Sequence, residues 1–388
     1  MFGLSSEELK EKKAHYTATE IYQQPEVWQE LTEKLFGEKD ALQGFIASII
    51  AKHGRVKVIF TGAGTSAFAG DTLVPELRKL GNPKLDYEAI ATTDIVSNPT
   101  EYLLAGVPTV LVSFARSGNS PESVAAVKLG QQIVKDFYQV VITCNKDGQL
   151  AKNTVNDANS LTILTPEKAH DQGFAMTSSY TSMMIAARFL FSSTPFTGKT
   201  AARVIANAEL LREKISTTVD QVLDFDFNRI IYLGSGLLGQ LSHEAALKML
   251  ELTAGNVVAV NESSLGFRHG PKSILHDQSV VVLMMSQDPY TRKYDLDILR
   301  ELSGETSKVV ALTEKATPEV EELADWTIAV NDGQDELETD FQLALLYVMF
   351  AQVLALKKSL QLGITPDNPS PEGKVNRVVQ GVTIYELD

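Results

Sequence analysis

The sequence predicts an α/β protein with two tandem, doubly wound parallel sheets. Short Val, Ile and Leu strands alternate with helical stretches, a pattern typical of parallel sheets covered on both faces by crossover helices. The stretch VKVIFTGAGTSAFAGD, residues 56–71, is also similar to NRIIYLGSGLLGQLSHEAALKML, residues 228–250. Gly62 matches Gly234 and Gly64 matches Gly236, and the same number of residues separates the members of each pair. This repeat indicates two copies of one unit of about 170 residues.

The later elements of the two copies match in the same order. Three further strands correspond in pairs: VPTVLVSFA with QSVVVLMMS, YQVVITCN with SKVVALTE, and NSLTILTP with DWTIAVND. Each copy closes with an apolar helix, TSSYTSMMIAARFLF in the first and DFQLALLYVMFAQVLAL in the second. The alternation of strand and helix thus runs through both halves of the chain.

Four segments follow from this pattern. We expect a helical N-terminal segment over 1–37, a first domain over 38–197, a second over 203–362, and a Pro-rich tail over 363–388 that wraps a surface as an ordered loop. Pro, Gly, Ser and Thr cluster at 192–202, which predicts the linker there. Residues 5–52 are predicted to be mostly helical and to pack on the first domain.

Composition excludes several classes of partner. The net charge of −14 repels nucleic acid and anionic membranes, so we expect neither as a partner. Cys144 is the only cysteine and is predicted to be a small buried residue; without an internal disulfide or an apolar signal core, the chain is expected in the cytoplasm. The apolar run LALLYVMFAQVLAL contains Gln352 and, at about 14 residues, predicts a buried helix rather than a membrane span.

The turn after the first strand is compatible with two kinds of ligand. Gly62, Gly64 and Ala67 fit the G-x-G-x-x-G/A pattern of a dinucleotide site, and Asp86 lies near the spacing of a ribose-binding acid. The Thr65–Ser66 pair instead places two hydroxyls at a helix N-terminus, which suits a single phosphate. Every doubly wound sheet needs a tight turn here, so the glycines alone leave the nicotinamide alternative open.

A second hydroxyl-rich turn, SFARSGNSPES at 113–123, favours the phosphate. Ser120 fits an N-cap and Pro121 a first helical position, so Ser117 and Ser120 should face the same sheet edge as Thr65 and Ser66. The alternative is that these residues only cap helices. In copy two the turns read MMSQDPYTRKY and Leu-Leu, and we expect no phosphate there.

Copy two offers two candidates for proton transfer. Glu251 lies in a helical stretch among leucines, and apolar surroundings would raise its pKa and let it act as a base. His269 precedes Gly270-Pro271 and is expected in a turn. The alternatives are a partly exposed helix acid and a solvated turn histidine. The other histidines lack metal-ligand spacing, so we expect no metal.

The motifs TGAGTS, SGNSPES, ALKMLELT and FRHGP, in one duplicated chain, resemble the SIS domains of phosphosugar enzymes, with the isomerase half of glucosamine-6-phosphate synthase as the general template. The stretches HYTATEIYQQPEVW and PDNPSPEGKVNRVVQGVTIYE are similar, more narrowly, to the galactosamine-6-phosphate deaminase/isomerase group, often labelled tagatose-6-phosphate ketose/aldose isomerase. The resemblance covers nearly the whole chain.

The resemblance implies roles for particular residues. Glu251 would move a proton between C1 and C2, and His269 would open the sugar ring from across a dimer interface. Ala115 stands where the template has a phosphate-binding serine, so Arg116 could supply charge instead. The substrate phosphate would be held by Gly64, Thr65, Ser66, Arg116, Ser117 and Ser120. The tail residues expected near the site are Lys374, Arg377 and Gln380.

The activity that the resemblance implies is conversion of galactosamine 6-phosphate to tagatose 6-phosphate and ammonia in amino sugar catabolism. No cofactor is expected, and the enzyme would be a homodimer or higher homo-oligomer with shared active sites. Two alternatives stay open at this point: an aldose/ketose phosphate isomerase that releases no ammonia, and a non-catalytic phosphosugar-binding protein. The sequence also leaves open a galacto or gluco preference, because one or two contacts decide the configuration at C4.

Overall fold

The structure is a computed structural model that describes residues 1–194, 196–331, 333, 335–379 and 381–387. The chain divides into two compact units, each of which contains one parallel sheet of five strands. We call them the first-sheet unit, residues 26–171, 176–198 and 373–388, and the second-sheet unit, residues 1–25, 172–175 and 199–372. The predicted α/β class with two doubly wound sheets is therefore confirmed.

The first sheet has the strand order β2-β1-β3-β4-β5. Its strands are β1 (Val56–Thr61), β2 (Leu85–Ala89), β3 (Thr109–Ala115), β4 (Phe137–Thr143) and β5 (Ser160–Leu164). The helices between and after them are α5 (Thr65–Leu80), α6 (Thr92–Ser97), α7 (Pro99–Tyr102), α8 (Pro121–Ile133), α9 (Gln149–Asn153) and α10 (Ser178–Phe191). Every residue of β3 is buried, because helices cover both faces of the sheet.

The second sheet repeats that order as β7-β6-β8-β9-β10. Its strands are β6 (Arg229–Gly234), β7 (Val258–Ser263), β8 (Ser279–Met284), β9 (Lys308–Thr313) and β10 (Trp326–Ala329). Its helices are α11 (Gly198–Leu223), α12 (Leu237–Leu252), α13 (Thr291–Leu302), α14 (Pro318–Leu323) and α15 (Asp340–Gln361), with short 3₁₀ turns at Gly266–Arg268 and Pro271–Ile274. All pairs of strands that match in sequence occupy matching places in the two sheets.

The N-terminal helices do not all pack on the first domain, and the prediction made for residues 5–52 is wrong for 5–25. The four helices are α1 (Ser6–Glu11), α2 (His15–Tyr22), α3 (Gln24–Gly37) and α4 (Lys39–His53). Helices α1 and α2 belong to the second-sheet unit, where α2 packs on α15. The Asp367 carboxylate accepts the N–H groups of Tyr16 and Thr17 at 3.1 and 2.8 Å. It therefore satisfies two backbone donors that the first turn of α2 leaves open.

Helix α15 is longer than its apolar run suggests. It has 22 residues and is long and apolar enough, by length and composition alone, to cross a membrane. However, 89% of its most apolar window is buried inside the protein. The predicted buried helix is confirmed, and α15 is a core helix of the second-sheet unit that packs on α12. Cys144 follows β4 and is half-buried, not fully buried as predicted, and desolvation raises the pKa of its thiol to about 12.

The glycines shared by the two copies are explained by one tight turn in each. A Cβ on Gly62 would lie 2.5 Å from the backbone of Ser66, and a Cβ on Gly234 would lie 2.6 Å from the backbone of Leu238. Gly64 and Gly236 both have φ +56°, a conformation that favours glycine. Since both copies need these glycines to join strand and helix, the pattern by itself does not indicate a dinucleotide.

Candidate active site

The first sheet places two polar turns beside each other at its switch point. Strands β1 and β3 are hydrogen-bonded neighbours, whereas β2 lies on the other side of β1. In open α/β sheets, ligands bind outside the carboxyl ends of the strands at such a point. One polar turn, 62–66, follows β1, and the other, 116–120, follows β3. The predicted candidates for phosphate binding therefore lie at the ligand-binding edge of one sheet.

The first turn opens helix α5. Gly64 is its N-cap, and Thr65 and Ser66 are the first two helical residues. Both hydroxyl side chains are largely buried, and Ser66 Oγ lies 3.8 Å from Sδ of Met176. The N-terminus of a 16-residue helix carries a positive partial charge and several backbone donors, which suit an anion.

The second turn opens helix α8. Ser120 occupies the N-cap and Pro121 the first helical position, as predicted. The Ser120 hydroxyl makes no cap bond; its Oγ donates to Ser123 Oγ at 2.6 Å. Ser117 Oγ accepts the N–H of Asn119 at 3.3 Å, a long hydrogen bond. Neither hydroxyl is therefore needed as a helix cap, which leaves both suited to an incoming ligand.

Arg116 joins this turn to the C-terminal tail. The guanidinium of Arg116 is largely buried and donates to the backbone carbonyl of Arg377 at 3.0 Å. The guanidinium of Arg377 donates in turn to the carbonyl of Asp171. The first-sheet unit thus holds this part of the tail beside the candidate phosphate turn. Lys374 is exposed in the same segment, and Gln380 lies outside the described residues.

Two residues that the sequence analysis did not single out lie in this region. Asp171 is fully buried, and its carboxylate caps α10 by accepting hydrogen bonds from Thr177, Ser178 and Ser179. Burial, then the charges of Arg377 and Arg116, lower the pKa of His170. His170 is therefore uncharged at neutral pH. An Asp shortly before a Thr-Ser-Ser run was a local sign of this cap.

The position of Asp86 argues against the dinucleotide alternative. Asp86 pairs in register with Lys57 near the start of β2, at the amino edge of the sheet and away from the glycine turn. Its carboxylate accepts two hydrogen bonds from Arg55, at 2.5 and 2.6 Å. A ribose-binding acid has to lie at the carboxyl edge, so Asp86 does not serve that role.

The second sheet holds a carboxylate of its own at the equivalent edge. Asp295 of α13 is fully buried and accepts hydrogen bonds from Ser264 Oγ at 2.8 Å, the N–H of Ser286 at 2.9 Å and Ser235 Oγ at 3.1 Å. Leu237, the first residue of α12, is also buried. An anionic ligand would meet both apolar side chains and a fixed acid here, which supports the expectation that copy two binds no phosphate.

Glu251 forms part of a charged cluster, and the apolar surroundings predicted for it are wrong. Lys248 Nζ donates to Glu251 Oε2 at 2.5 Å and lies 3.3 Å from Glu244 Oε1. Lys248 and Glu244 are fully buried, whereas the Glu251 side chain is 23% exposed. Burial alone would lower the pKa of Lys248, but Glu244 and Glu251 outweigh it and raise that pKa. The ammonium therefore stays charged and pairs with the Glu251 carboxylate.

The spacing of these three residues in the sequence already indicates that their side chains meet. Glu244, Lys248 and Glu251 are four and three residues apart on one helix, the spacing at which side chains on α12 meet. Glu244 and Lys248 were not predicted as partners of Glu251.

His269 lies in a turn, as predicted. The turn follows β7 and runs through the two 3₁₀ segments between Gly266 and Ile274. The imidazole is exposed, and Gly270 after it has φ +122°, a conformation that strongly favours glycine. Glu251 and His269 belong to the same unit but to different elements: the last turn of α12 and the connection after β7.

The structure thus brings the phosphate candidates together in the first-sheet unit and both proton-transfer candidates into the second-sheet unit. Within the part of the chain that the structure describes, no group of three or more His, Cys, Asp or Glu side chains could hold a metal ion.

A half-buried acid in the helix that carries Thr65 predicts a pH-dependent stability. Burial, and then the like charge of Asp94, raise the pKa of Asp71 to about 6 from an ordinary 3.8. Between these values the folded chain holds a proton that the unfolded chain has lost, so the free energy of unfolding falls as the pH rises through this window and levels off above pH 6. We expect Asp71→Asn to stabilise the protein by about 1–2 kcal/mol at pH 8, after allowance for partial exposure.

Urea unfolding of Asp71→Asn and wild type at pH 4.5 and pH 8 measures this effect. The gain should be much smaller at pH 4.5, where the folded wild type keeps the proton. Asp147→Asn removes an exposed acid from a loop of the same unit and should show no such pH dependence. An equal gain from Asp71→Asn at both pH values would contradict the assignment.

The fold defines a two-domain α/β protein, with candidate phosphate-binding turns at one edge of the first sheet and candidate proton-transfer residues in the second-sheet unit. Comparison with known proteins makes this more specific. Residues 50–193 and 225–359 each match the family model described as the SIS domain. The chain therefore belongs to the SIS-domain family, with two such domains in tandem.

Named relatives match over almost the full length. The chain is 40% identical to the D-galactosamine-6-phosphate deaminase AgaS of Shewanella sp. (strain ANA-3), covering 98% of this chain and 95% of the relative. It is 41% identical to the D-galactosamine-6-phosphate deaminase AgaS of Escherichia coli, with 95% of each chain covered. The crystal structure of tagatose-6-phosphate ketose/aldose isomerase from Escherichia coli matches with a TM-score of 0.87, 38% identity and 96% of each chain covered.

Proposed function

We propose that this protein is an enzyme that converts galactosamine 6-phosphate to tagatose 6-phosphate and ammonia. The observation that carries the proposal is the contact of the Glu251 carboxylate with the buried Lys248 ammonium, in a chain about 40% identical to named deaminases over nearly its whole length. The reaction needs a carboxylate base that substrate can reach, and the Glu251 side chain is 23% exposed.

The phosphate of the substrate binds at the switch point of the first sheet. Donors converge there from the N-termini of α5 and α8 and from the hydroxyls of Thr65, Ser66, Ser117 and Ser120. Arg116 contributes a positive charge beside them. These are short-range donors, so the acidic surface of the protein as a whole does not prevent binding. Copy two lacks the equivalent site because Asp295 already places a carboxylate there.

His269 assists opening of the sugar ring, by moving a proton between the ring oxygen and the C1 hydroxyl. Imidazole is the side-chain group best suited to give and take protons at physiological pH, and that of His269 is exposed. In the open chain C1 is an aldehyde, and the hydrogen on C2 becomes acidic enough for a carboxylate to remove.

Glu251 then takes the proton from C2 and returns it to C1. The first transfer gives an enolamine, and protonation at C1 leaves an iminium at C2. Water adds to C2, ammonia leaves, and a ketose 6-phosphate remains. The Lys248 ammonium can offset negative charge that develops near Glu251 during the transfer. Positioning and the two acid/base residues Glu251 and His269 suffice for these steps, so we propose no cofactor.

A plain ketose/aldose isomerase is the second candidate, because the related crystal structure from Escherichia coli bears that name. An ammonia assay over a panel of galactosamine 6-phosphate, glucosamine 6-phosphate and galactose 6-phosphate separates the two. Release of one ammonia per galactosamine 6-phosphate consumed supports the deaminase. Interconversion of galactose 6-phosphate and tagatose 6-phosphate, with no ammonia from either hexosamine, would establish the isomerase. Binding without turnover of any sugar would establish a sensor.

We also propose that the enzyme works in the cytoplasm as a homodimer or higher homo-oligomer in which one subunit supplies His269 to the other's site. The basis is the resemblance to the synthase isomerase domains and the exposure of the His269 turn. A mixture of Glu251→Gln and His269→Ala chains should recover activity that neither has alone. Full activity at concentrations where sedimentation shows only monomer would contradict this proposal.

A further inference from the structure

The turn that carries His269 is bound firmly on one side of the histidine. Phe267 is fully buried and belongs to the core cluster that includes Leu299 and Leu302 of α13. The backbone N–H of His269 donates a hydrogen bond to the carbonyl of Gly266 at 2.9 Å, which closes the turn. Beyond Gly270, Pro271 and Ser273 are exposed and Lys272 is half-buried. Apolar side chains pack on the same core cluster again at Ile274 and Leu275.

One carboxylate of α13 binds both sides of this turn. Glu301 Oε2 lies 2.6 Å from Arg268 Nε, and Glu301 Oε1 lies 2.5 Å from Lys272 Nζ. Lys272 also pairs with Glu305 at 2.7 Å. The hydrogen bonds from Lys272 and Arg268 lower the pKa of Glu301, so its carboxylate remains charged. The two cations that flank His269 are therefore held at one point on a rigid helix.

We propose that Glu301 is a positioning residue for His269: it fixes the exposed imidazole by binding Arg268 before it and Lys272 after it. This inference rests on the proposed role of His269 in ring opening. Exposed ion pairs contribute little to stability one by one, but a displacement of about 1 Å in a catalytic group can cost up to about a hundredfold in rate. The effect of Glu301 is therefore expected in catalysis more than in folding.

Loss of the carboxylate would also leave like charges close together. Without Glu301, the Arg268 guanidinium and the Lys272 ammonium would repel each other across the histidine, and only Glu305 would still hold Lys272. The turn would sample more conformations, because Gly270 has no side chain to restrict its backbone dihedral angles. The imidazole would spend less time in the orientation needed for proton transfer.

The test compares Glu301→Gln with Glu319→Gln. Glu319 forms a similar ion pair with Arg300 of the same helix, at 2.5 Å, but contacts neither residue that flanks His269. We expect Glu301→Gln to lower kcat for ammonia release about tenfold or more with less than a twofold change in KM, because the phosphate site is intact. Glu319→Gln should match wild type. Glu301→Asp keeps the charge and should recover part of the rate.

Ring opening is measured separately in a Glu251→Gln background, where proton transfer between C2 and C1 is blocked. There, exchange between the anomers of galactosamine 6-phosphate, followed by NMR, reports ring opening alone. Adding Glu301→Gln should slow this exchange, whereas adding Glu319→Gln should not. Wild-type kcat and unchanged exchange in the Glu301→Gln variants would overturn the inference. An enzyme that releases no ammonia refutes the proposed function, but slower exchange in the Glu301 variant would still support the positioning role.

Discussion

Replacement of Glu251 by glutamine is expected to lower kcat for ammonia release by about 10²- to 10⁴-fold, the range that a positioned general base contributes. Glutamine has nearly the same volume and can still accept a hydrogen bond from Lys248 Nζ, so the fold of α12 should persist. What it lacks is the basic oxygen that takes the C2 proton. Substrate affinity should change little, because the groups proposed to hold the phosphate belong to the first-sheet unit.

The measurement is steady-state ammonia release together with calorimetric binding of galactosamine 6-phosphate. Glu209→Gln, which changes an exposed acid of α11 in the same unit, is the matched control and should leave both quantities unchanged. Retention of more than a tenth of wild-type kcat by Glu251→Gln would show that another group removes the proton. In that event His170, kept neutral beside the phosphate turns, is the next base to test.

Most of the fold could be predicted from local patterns in the sequence. Strand runs such as Thr109–Ala115 are apolar throughout because both faces are covered, and such runs are read directly from composition. The tight turns were predictable because Gly62 and Gly64 recur in the second copy as Gly234 and Gly236. Proline and serine at the start of α8 similarly predicted where that helix begins.

The placement of the N-terminal helices could not be predicted in this way. It depends on Asp367, which binds the first turn of α2 across more than 300 residues of sequence. A pairing so distant leaves no periodic or spacing signal in a single chain. The contact between Arg116 and the tail carbonyl of Arg377 likewise joins residues that are far apart in the sequence. Sequence proximity therefore assigned α1 and α2 to the wrong unit.

The positions of the candidate site residues, but not all of their contacts, could be predicted from the sequence. Thr65 and Ser117 could be placed at one sheet edge because parallel strands end on the same side. The surroundings of Glu251 were misjudged because neighbouring leucines were taken to describe its contacts, while Lys248, one helical turn back, determines them. In a helix the residues three and four positions away matter more than the adjacent ones.

Removal of the two hydroxyls of the second turn is expected to have the other large effect. The Ser117→Ala/Ser120→Ala variant should lower kcat/KM for galactosamine 6-phosphate by about 10²-fold or more, since each hydrogen bond to a charged group contributes about 1.5–3 kcal/mol. The fold should tolerate the change, because Ser120 makes no side-chain cap bond and Ser117 makes only one long bond to Asn119. Stability should therefore remain close to that of wild type.

The phosphate itself provides the decisive comparison. Inorganic phosphate should inhibit the wild type competitively and the double variant much more weakly, because the lost donors act on the phosphate alone. Galactosamine without a phosphate should be a poor substrate for both enzymes, with little further loss in the variant. Ser48→Ala, on the exposed side of α4, is the matched control. An equal loss of kcat/KM on both sugars would mean that Ser117 and Ser120 support the turn or contact the sugar ring. The turn at Thr65 and Ser66 would then have to hold the anion without these two hydroxyls, since Asp295 already occupies the equivalent position in the second sheet.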